Sequence, residues 1–316
     1  MKILITGGAG FIGSHLCDHL LAWGDQVHAL DNLSRGRLEN VAHNLDNRQF
    51  RFIQADLLEF EPLQRLFEAE RYDAVFHLAG NSDIQRSVRE TDLDLRQTFL
   101  TTYNVAECAR RSNVREILFT SSSTVYGPHD KPLSEATGPL HPISLYGAAK
   151  LASEGFLAAY ASLFDMSVWI FRLPNVVGER LTHGCVYDFV ERLHKDLTQL
   201  LVLGDGKQEK PYADVKDVID AILLAWKCSR DHVNCFNIAA SGTTSVREIA
   251  RIVIEEMGLR NVRIEYTGEE RGWPGDVPHF QYDSYKIRAL GWEPRHSSEQ
   301  AIRQAVRSMV KSAQEQ

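Results

Sequence analysis

A tyrosine and a lysine four positions apart are the first pair in this sequence that could carry out chemistry. Tyr146-Gly-Ala-Ala-Lys150 falls in a segment with helical periodicity, so both side chains should lie on one helix face. A phenol with an ordinary pKa of about 10 is a weak base at neutral pH, and a nearby ammonium favours its ionised form. The pattern predicts a general base, although the same spacing is common between solvent-exposed helix residues.

Hydroxyl groups are concentrated just before this helix, in the run from Thr120 to Gly127. The run follows a predicted strand at 117–119, and the carboxyl edge of a parallel sheet is where such folds present polar groups to a ligand. The hydroxyls of this run are therefore candidates for contact with a ligand. The alternative is that these hydroxyls satisfy backbone groups of a loop.

Three glycines near the start of the chain form a G-x-x-G-x-x-G loop between a predicted strand and a predicted helix. In this context Gly7 permits the turn, Gly10 lets a pyrophosphate approach the backbone, and Gly13 lets the helix pack against the sheet. The loop predicts a dinucleotide-binding site that also includes Phe11 and Ile12 at the helix N-terminus. The alternative is a glycine turn with a structural role only.

An acidic residue, Asp31, follows the second predicted strand about 20 residues after the glycines. A carboxylate at this point accepts both ribose hydroxyls of adenosine and repels a 2′-phosphate, so NAD is favoured over NADP. Arg35 is close enough in sequence to keep NADP open, and Asp31 could instead be a turn residue. Further predicted cofactor contacts follow the second, third and fourth strands: Asn32, Ser34, Asp56, Leu57, Leu78 and Ala79.

Short apolar runs rich in β-branched residues alternate with segments of helical periodicity in the first half of the chain. Continuous apolar strands separated by helices predict a parallel sheet covered on both faces. Right-handed crossovers then give a doubly wound α/β fold of the Rossmann kind. The strands are predicted at 3–5, 27–30, 50–53, 74–78, 117–119 and 168–171, and the helices include 12–23, 92–112 and 145–164.

The regular alternation of predicted strands and helices becomes less clear after Pro174, which indicates a second, smaller α/β domain. We expect a dinucleotide-binding domain over 1–173, with a return of about 213–240 to it, and a mainly substrate-binding domain over 174–316. Residues 233–238 form the strand expected to rejoin the main sheet. Other elements expected here are helices near 185–196, 215–228, 245–257 and 298–312, a strand at 200–203 and a loop at 267–279.

Together these motifs resemble the extended short-chain dehydrogenase/reductase family, and within it the NAD-dependent nucleotide-sugar epimerases of the UDP-glucose 4-epimerase type. The resemblance covers essentially the whole chain. It rests on Thr6–Gly13, Asp31–Ser34, Asp56–Leu57, His77–Ala79, Ser121–Gly127 and Tyr146–Lys150, and downstream on Arg172–Gly178, Gly204–Gln208, Gly275–Asp276 and Leu290–Trp292.

The resemblance implies an isomerase that inverts C4 of a nucleotide-diphosphate sugar through a 4-keto intermediate, with NAD held tightly. Tyr146 would take the proton of the sugar 4-hydroxyl, Ser122 would hydrogen-bond the same oxygen, and Thr124 could also bond it. Lys150 would bind a ribose of the cofactor, and the positively charged nicotinamide would help it to stabilise the phenolate. Tyr146 and Lys150 are therefore expected to be both catalytic and cofactor-binding.

Dehydratases and decarboxylases of this family place carboxylates directly after the catalytic hydroxyl, because their reactions need an additional acid or base. Here Ser122 is followed by Ser123 and Thr124, neither of which titrates usefully. The sequence therefore favours 4-epimerisation. A 4,6-dehydratase or a 4-ketoreductase acting on a nucleotide sugar is the alternative.

Substrate binding is predicted at Ser122, Tyr146, Asn175, Lys210 and Arg271. Asn175 matches the family's substrate-binding asparagine, and Lys210 or Arg271 would neutralise the diphosphate, although either could instead be a solvated loop cation. The chain departs from the family pattern where Thr98 replaces an asparagine, and where Lys210 and Trp273 each replace an arginine. A UDP-hexose such as UDP-glucose or UDP-galactose is the expected substrate.

Composition argues against several other functions for this chain of 316 residues. Lys and Arg number 35 against 42 Asp and Glu, which gives a net charge of −7 without a basic stripe for nucleic acid. The spacing of the five cysteines indicates a reducing compartment, and no apolar run is long enough to span a membrane, so a cytoplasmic protein is expected. No metal is expected, and the long helices at 92–112 and 145–164 are similar to the pair that forms a homodimer in this family.

Overall fold

The computed structural model describes residues 1–314, which form two compact units. The first unit consists of Met1–Val125, Ser144–Arg172 and Ile222–Phe236. The second consists of Tyr126–Ile143, Leu173–Ala221 and the described residues from Asn237 onward. Within the described part of the chain, no helix has the length and apolar character that crossing a lipid bilayer requires.

Strands and helices alternate through most of residues 1–314. The strands are β1 (Lys2–Thr6), β2 (Gln26–Asp31), β3 (Phe50–Gln54), β4 (Ala74–His77), β5 (Glu116–Ser122), β6 (Ser167–Leu173), β7 (Asn175–Val177), β8 (Gln199–Val202), β9 (Glu209–Lys210), β10 (Tyr212–Asp214), β11 (Val233–Asn237), β12 (Thr244–Ser245) and β13 (Arg263–Tyr266). The helices are α1 (Phe11–Ala22), α2 (Phe60–Glu70), α3 (Ile84–Ser87), α4 (Thr101–Arg111), α5 (Leu145–Phe164), α6 (Cys185–Lys195), α7 (Val215–Cys228), α8 (Val246–Glu256), α9 (Tyr285–Arg288) and α10 (Ser298–Gln314).

Seven strands form one sheet in the order β3-β2-β1-β4-β5-β6-β11. Parallel pairing places Thr6 at the end of β1 between Leu30 of β2 and His77 of β4. The strand order reverses beside β1, and in doubly wound folds a ligand binds at the carboxyl ends of the strands at such a point. The predicted α/β fold and the return of the 233–238 strand to the main sheet are both confirmed.

Helices on the sheet explain why its central strands are predominantly apolar. Leu4, Val75 and Ile117, on three neighbouring strands, belong to one buried cluster with Phe67 of α2 and Val105 of α4. Strands covered on both faces have no solvent-facing side and so lack the polar alternation of an exposed sheet. This burial fixes the strand order and brings the carboxyl ends of β1, β4 and β5 to the same edge.

The predicted elements agree with the structure to within a few residues, apart from two differences. The helix predicted at 92–112 consists of a π-helical turn, Leu95–Leu100, that continues into α4. Five short strands were not predicted: β7, β9, β10, β12 and β13. They are two to four residues long and pair with distant segments, so no local periodicity marks them.

Candidate active site

Helix α5 carries the predicted tyrosine and lysine, and its N-terminus is fixed by its own sequence. Ser144, the residue before the helix, accepts a hydrogen bond from the Gly147 amide at 3.1 Å and so acts as an N-cap. Tyr146 is half-buried in the first turn, and Lys150, one turn later, is buried. The Lys150 Nζ lies 5.8 Å from the centre of the Tyr146 ring, as expected for side chains on one helix face.

Lys150 lies beneath the carboxyl end of β5. Its Nζ donates a hydrogen bond to the Thr120 carbonyl oxygen at 2.7 Å and is 4.6 Å from the centre of the Phe119 ring. Burial lowers the pKa of Lys150 to about 8, whereas the negative charges of Asp94 and Glu154 raise it. A lysine pKa this close to neutrality is a property shared with lysines that take part in acid–base chemistry.

The pKa of Tyr146 differs from the lowered value expected for a base beside an ammonium. Burial raises the pKa of Tyr146 to about 12, a hydrogen bond with Ser122 lowers it, and the charge of Asp94 raises it. Among the protein groups by themselves, desolvation of the phenolate dominates, and the lowering expected from Lys150 together with a positively charged nicotinamide stays a prediction. Lowering the pKa into the range of a general base requires a further positive charge beside the ring.

The hydroxyl residues after Phe119 divide between two environments. Ser122 ends β5 and hydrogen-bonds Tyr146, and it also accepts a hydrogen bond from the Thr124 amide at 3.3 Å. The Thr124 Oγ1 is buried and lacks a hydrogen-bond partner among residues 1–314. Ser121 instead donates to the Glu154 carboxylate. Ser122 therefore lies beside Tyr146, and the Thr124 hydroxyl is available to a bound molecule, whereas Ser121 is already bonded to Glu154.

The glycine loop approaches neighbouring backbone too closely for any side chain. Gly7 has φ +69°, and a Cβ there would lie 2.8 Å from the Ala79 amide nitrogen. A Cβ on Gly13 would lie 2.1 Å from the Gly7 carbonyl oxygen, where α1 packs against the turn. The loop therefore requires glycine at both positions.

Helix α1 begins immediately after this loop, and its N-terminus has no side-chain cap. Gly10 is the N-cap residue, and the first turn, which includes Phe11 and Ile12, contains no acidic residue. Uncapped amides at a helix N-terminus bind phosphate groups, and the helix dipole favours negative charge there. The narrow backbone cradle around Gly7 and the uncapped helix together fit the pyrophosphate of a dinucleotide.

Asp31 is buried at the end of β2, beside the glycine loop. Its Oδ2 accepts a hydrogen bond from the Ala9 amide at 3.1 Å, and its Oδ1 accepts one from the Leu33 amide at 2.9 Å. Burial raises the pKa of Asp31, and the two backbone hydrogen bonds lower it. Arg35, the residue that left NADP open, forms an exposed ion pair with Asp83 at 3.3 Å. This pairing competes with capture of a 2′-phosphate and favours NAD.

The predicted contacts after β2 and β3 lie together at the same edge of the sheet. Asn32 Nδ2 donates to Asp56 Oδ2 at 3.1 Å, and the Ser34 amide donates to Asn32 Oδ1 at 3.0 Å. The carbonyl oxygen of Leu57 accepts a hydrogen bond from Asn104 Nδ2 at 2.8 Å. These bonds hold the two loops side by side, where an adenosine group would lie in this fold.

A buried histidine fixes the turn after β4. His77 Nδ1 lies 2.7 Å from Thr6 Oγ1, and its Nε2 lies 3.0 Å from Thr102 Oγ1. Thr102 donates its own proton to the Thr98 carbonyl oxygen, so it accepts from His77 Nε2–H. The ring is neutral because its burial disfavours the charged form. Burial lowers the pKa of His77 to about 3. The amides of Leu78–Ala79 donate to Thr6, and the network thereby positions both predicted cofactor residues.

The substrate residues predicted after position 174 lie in the second unit. Asn175 begins β7, and its Nδ2 is buried without a hydrogen-bond partner in the described part of the chain. Lys210 Nζ donates to Asp276 Oδ1 and lies 5.0 Å from the centre of the Trp273 ring. Arg271 is exposed. The charge of Lys210 is thus matched by a buried carboxylate, a partner that the sequence did not indicate.

Sequence reasoning did not find two buried acidic groups near Lys150. Glu154 continues the stripe of Tyr146 and Lys150 at four-residue spacing, so the helix pattern could have indicated it; Arg172 of β6 pairs with it at 2.7 Å. Asp94 lies outside every recognised motif, and its partner, Asn81 Nδ2, is on another loop at 2.9 Å. No local signal predicts such a contact.

Comparison with known proteins identifies the family with this arrangement. The model of the NAD dependent epimerase/dehydratase family matches residues 3–239. The chain belongs to this family. The predicted membership of the extended short-chain dehydrogenase/reductases, the enzyme class and the NAD cofactor are thereby confirmed.

Relatives within the family include epimerases and a dehydratase. The UDP-glucose 4-epimerase of Mycolicibacterium smegmatis is 34% identical over 316 residues, which cover 97% of this chain and 97% of that protein. The structure of Thermotoga maritima UDP-glucose 4-epimerase with UDP-glucose has a TM-score of 0.90 and 32% identity, covering 99% of this chain and 100% of that chain. The dTDP-glucose 4,6-dehydratase of Streptomyces venezuelae, solved with NAD and TYD, has a TM-score of 0.91 and 27% identity, covering 99% and 98%.

Asp31→Asn tests the contact to the cofactor of this NAD-dependent enzyme. Loss of one charged hydrogen-bond acceptor should weaken NAD binding about tenfold. Loss of the negative charge should also remove the repulsion of a 2′-phosphate, so the preference for NAD over NADP should decrease. Quenching of tryptophan fluorescence gives both dissociation constants. Asp46→Asn, which neutralises an exposed carboxylate, should change neither. An unchanged ratio of NAD to NADP affinity in Asp31→Asn would contradict the contact.

His77→Gln tests the neutral histidine. Below about pH 6.5 the unfolded chain binds a proton at His77, whereas the folded chain binds it only near pH 3, so wild-type stability falls as the pH drops through this window. His77→Gln should reduce the slope of unfolding free energy between pH 5 and 6 by up to about 1.4 kcal/mol per pH unit. Urea denaturation measures the slope, with His19→Gln on α1 as control. Equal slopes in wild type and His77→Gln would mean that folded His77 is charged.

Proposed function

We propose that this chain is an NAD-dependent epimerase that inverts C4 of a UDP-hexose. The observation that carries the proposal is the convergence of Tyr146, Ser122 and Lys150 beside the turn after β4. A Cβ placed on Gly80 in this turn would lie 3.4 Å from Lys150 Nζ, and the preceding residue, Ala79, contacts the glycine loop. The acid–base groups and the dinucleotide cradle therefore meet at one edge of the sheet, in the first unit.

In the proposed reaction Tyr146 exchanges a proton with the sugar 4-hydroxyl. Bound NAD supplies the acceptor and donor for the C4 hydride. The Tyr146 oxygen takes the hydroxyl proton, and Ser122, which hydrogen-bonds Tyr146, orients the hydroxyl oxygen. Lys150 favours the phenolate and would hydrogen-bond a ribose of the cofactor. Tyr146 would return the proton to the C4 oxygen once hydride has been restored to the other face of the 4-keto sugar.

The residues beside Ser122 favour epimerisation over dehydration. A 4,6-dehydratase must also remove the C5 proton and expel the 6-hydroxyl, which requires a further acid or base. Ser123 and Thr124 follow Ser122, and neither is a carboxylic acid. Glu154, a carboxylate close to β5, is bound by Arg172. The buried Oγ1 of Thr124 is suited instead to a hydrogen bond with a sugar oxygen.

We assign nucleotide and sugar binding to the part of the chain from 174 to 316, and cofactor binding to 1–173 with the return of about 213–240. The unpartnered Nδ2 of Asn175 is a donor available to the substrate. Arg271 is exposed, whereas Lys210 already pairs with Asp276, so Arg271 is the stronger candidate for neutralising the diphosphate. UDP is the nucleotide proposed, by analogy with the epimerase relatives.

Tyr146→Phe tests the proposed base. The wild-type protein with bound NAD should interconvert UDP-glucose and UDP-galactose without added cofactor. Loss of the phenol should lower kcat by about 10² to 10⁴, because acid–base catalysis is removed while the ring remains. Chromatography of the sugar nucleotides measures turnover, and Tyr285→Phe, which alters an exposed tyrosine, is the matched control.

The same assay distinguishes the competing reactions. UDP-glucuronate and the N-acetylated UDP-hexoses extend the panel and identify the preferred sugar by product stereochemistry. Turnover unchanged by Tyr146→Phe would eliminate Tyr146 as the base. A 4-keto-6-deoxy product would identify a dehydratase, and net consumption of NADPH would identify a reductase.

We also propose that the enzyme is a homodimer. The π-helical turn, α4 and α5 expose large apolar side chains, and Phe99 packs against Phe156 at 4.9 Å between ring centres, so these helices lie side by side. Contiguous exposed apolar residues indicate a protein–protein contact. They are Leu95, Leu100, Tyr103, Phe156, Leu163 and Phe164.

Substitution of two of these residues tests the dimer. Phe156→Glu combined with Leu163→Glu places charges in the proposed contact and should raise the dimer dissociation constant at least about 100-fold. Light scattering after size-exclusion chromatography should then report a mass near 35.8 kDa instead of twice that value. Leu197→Glu, at an exposed leucine outside these helices, should leave the dimer intact. Wild-type protein that elutes as a monomer at micromolar concentration would contradict the proposal.

The state of the cysteines supports a cytoplasmic location. No disulfide bond joins the cysteines in the described part of the chain. Proteins of oxidising compartments commonly pair their cysteines, whereas free thiols persist where glutathione keeps them reduced. We therefore propose that the enzyme acts in the cytoplasm.

A further inference from the structure

A buried carboxylate in the first unit has a hydrogen-bond partner on only one of its two oxygens. Asp94, which precedes the π-helical turn Leu95–Leu100, is 1% exposed. Its Oδ1 accepts a hydrogen bond from Asn81 Nδ2 at 2.9 Å, and its Oδ2 lacks a partner among residues 1–314. A charge in such a place is costly unless an opposite charge lies close by. Its position therefore calls for a functional explanation.

Lys150 is the buried cation whose pKa the negative charge of Asp94 raises. The ammonium of Lys150 is occupied by the neutral Thr120 carbonyl and faces the Phe119 ring, and neither of these supplies a negative charge. Backbone links the two sites, because a Cβ on Gly80 would lie 3.4 Å from Lys150 Nζ and 3.5 Å from Thr98 Oγ1. The Asn81 amide donates to the same Thr98 hydroxyl at 3.2 Å, while its side chain holds Asp94.

The remaining titratable groups around Lys150 are either neutral or already paired with another charge. On α5, Glu154 is bonded by Arg172 through Nε at 3.1 Å and Nη2 at 2.7 Å, so its charge is already matched. Also on α5, Tyr146 is a neutral phenol. From β4, His77 is neutral. Asp94 is thus the acidic group in the described part of this site whose charge is not neutralised by another cation.

We propose that Asp94 is a positioning residue that supplies the counter-charge for Lys150 and thereby sets the pH range in which the Tyr146–Lys150 pair works. The proposal rests on the function proposed above for this pair. Asp94 acts through Lys150, and the loop at Gly80 and Asn81 holds the two charges in fixed relation. The π-helical turn contributes by directing Thr98 toward that loop.

The direction of the pH effect follows from the sign of the charge. The negative charge of Asp94 raises the pKa of both Lys150 and Tyr146. A neutral residue at position 94 therefore lowers both pKa values. Because activity needs deprotonated Tyr146 and protonated Lys150, the acidic and alkaline limbs of the activity profile should both move to lower pH.

The experiment compares Asp94→Asn with the wild-type holoenzyme. The pH dependence of kcat/KM for UDP-glucose should shift by about one pH unit toward acid at both limbs. Titration of the Lys150 ¹³Cε resonance by NMR, assigned through Lys150→Arg, should show the same shift without any turnover. Asp92→Asn is the matched control, because Asp92 is two residues away, exposed, and paired with Arg96 at the surface. It should leave both measurements unchanged.

Two further variants complete the test. Asp94→Glu retains the charge and should restore the wild-type pH range, which a merely structural role for the side chain does not predict. If Asp94→Asn fails to fold, Asp94→Ser is used, and the same acid shift is expected. The proposal would be overturned if Asp94→Asn or Asp94→Ser folds normally but has the wild-type Lys150 titration and the wild-type pH dependence of kcat/KM.

The NMR titration separates this inference from the proposed function. Absence of epimerisation with every UDP-sugar, together with a shifted Lys150 resonance, would refute the epimerase and support the electrostatic role of Asp94. Normal epimerisation with an unshifted Lys150 titration would support the epimerase and refute the role of Asp94.

Discussion

The burial of a positive charge at the carboxyl end of the main sheet is the constraint on which the site depends. Lys150 has no solvent to stabilise its ammonium, so a carbonyl oxygen, an aromatic face and nearby carboxylates must do so. Those groups come from β5, from α5 and from the helical residue that precedes the π-helical turn. The strand order β4-β5 and the N-cap at Ser144 are therefore requirements of the chemistry as well as of the fold.

Glycine connects the two functions of the first unit because it lets three backbone segments come close together. Gly7 brings the turn after β1 against Ala79, and Gly80 brings the next residue of the same loop against Lys150. His77, at the end of β4, contacts Thr6 of β1 and so holds this loop against the neighbouring strand. The cofactor cradle and the acid–base pair therefore lie at the same edge of the sheet. A side chain at Gly7 would push these segments apart, whereas a Cβ at Gly80 would make ordinary van der Waals contact with Lys150 and Thr98.

In the second unit, an ion pair changes the role that can be assigned to Lys210. Lys210 has the charge expected of a diphosphate ligand, yet Asp276 matches that charge and Trp273 covers it. The two replacements of arginine noted in the sequence are therefore not independent, because the lysine and the tryptophan lie together. Neutralisation of a diphosphate has to come from a different cation or from competition with Asp276.

The sequence by itself determined the features that depend on local spacing. Glycines at intervals of three, an acidic residue after the second strand, and Tyr146 four positions before Lys150 were sufficient to predict the fold, the cofactor and the position of Tyr146 and Lys150 on one helix face. Only the tertiary structure decided the sign of the Tyr146 pKa shift, the pairing of Lys210 and the burial of Asp94. These properties arise from desolvation and from contacts between residues far apart in the chain. Neither can be predicted from local residue spacing, because neither depends on a periodic pattern.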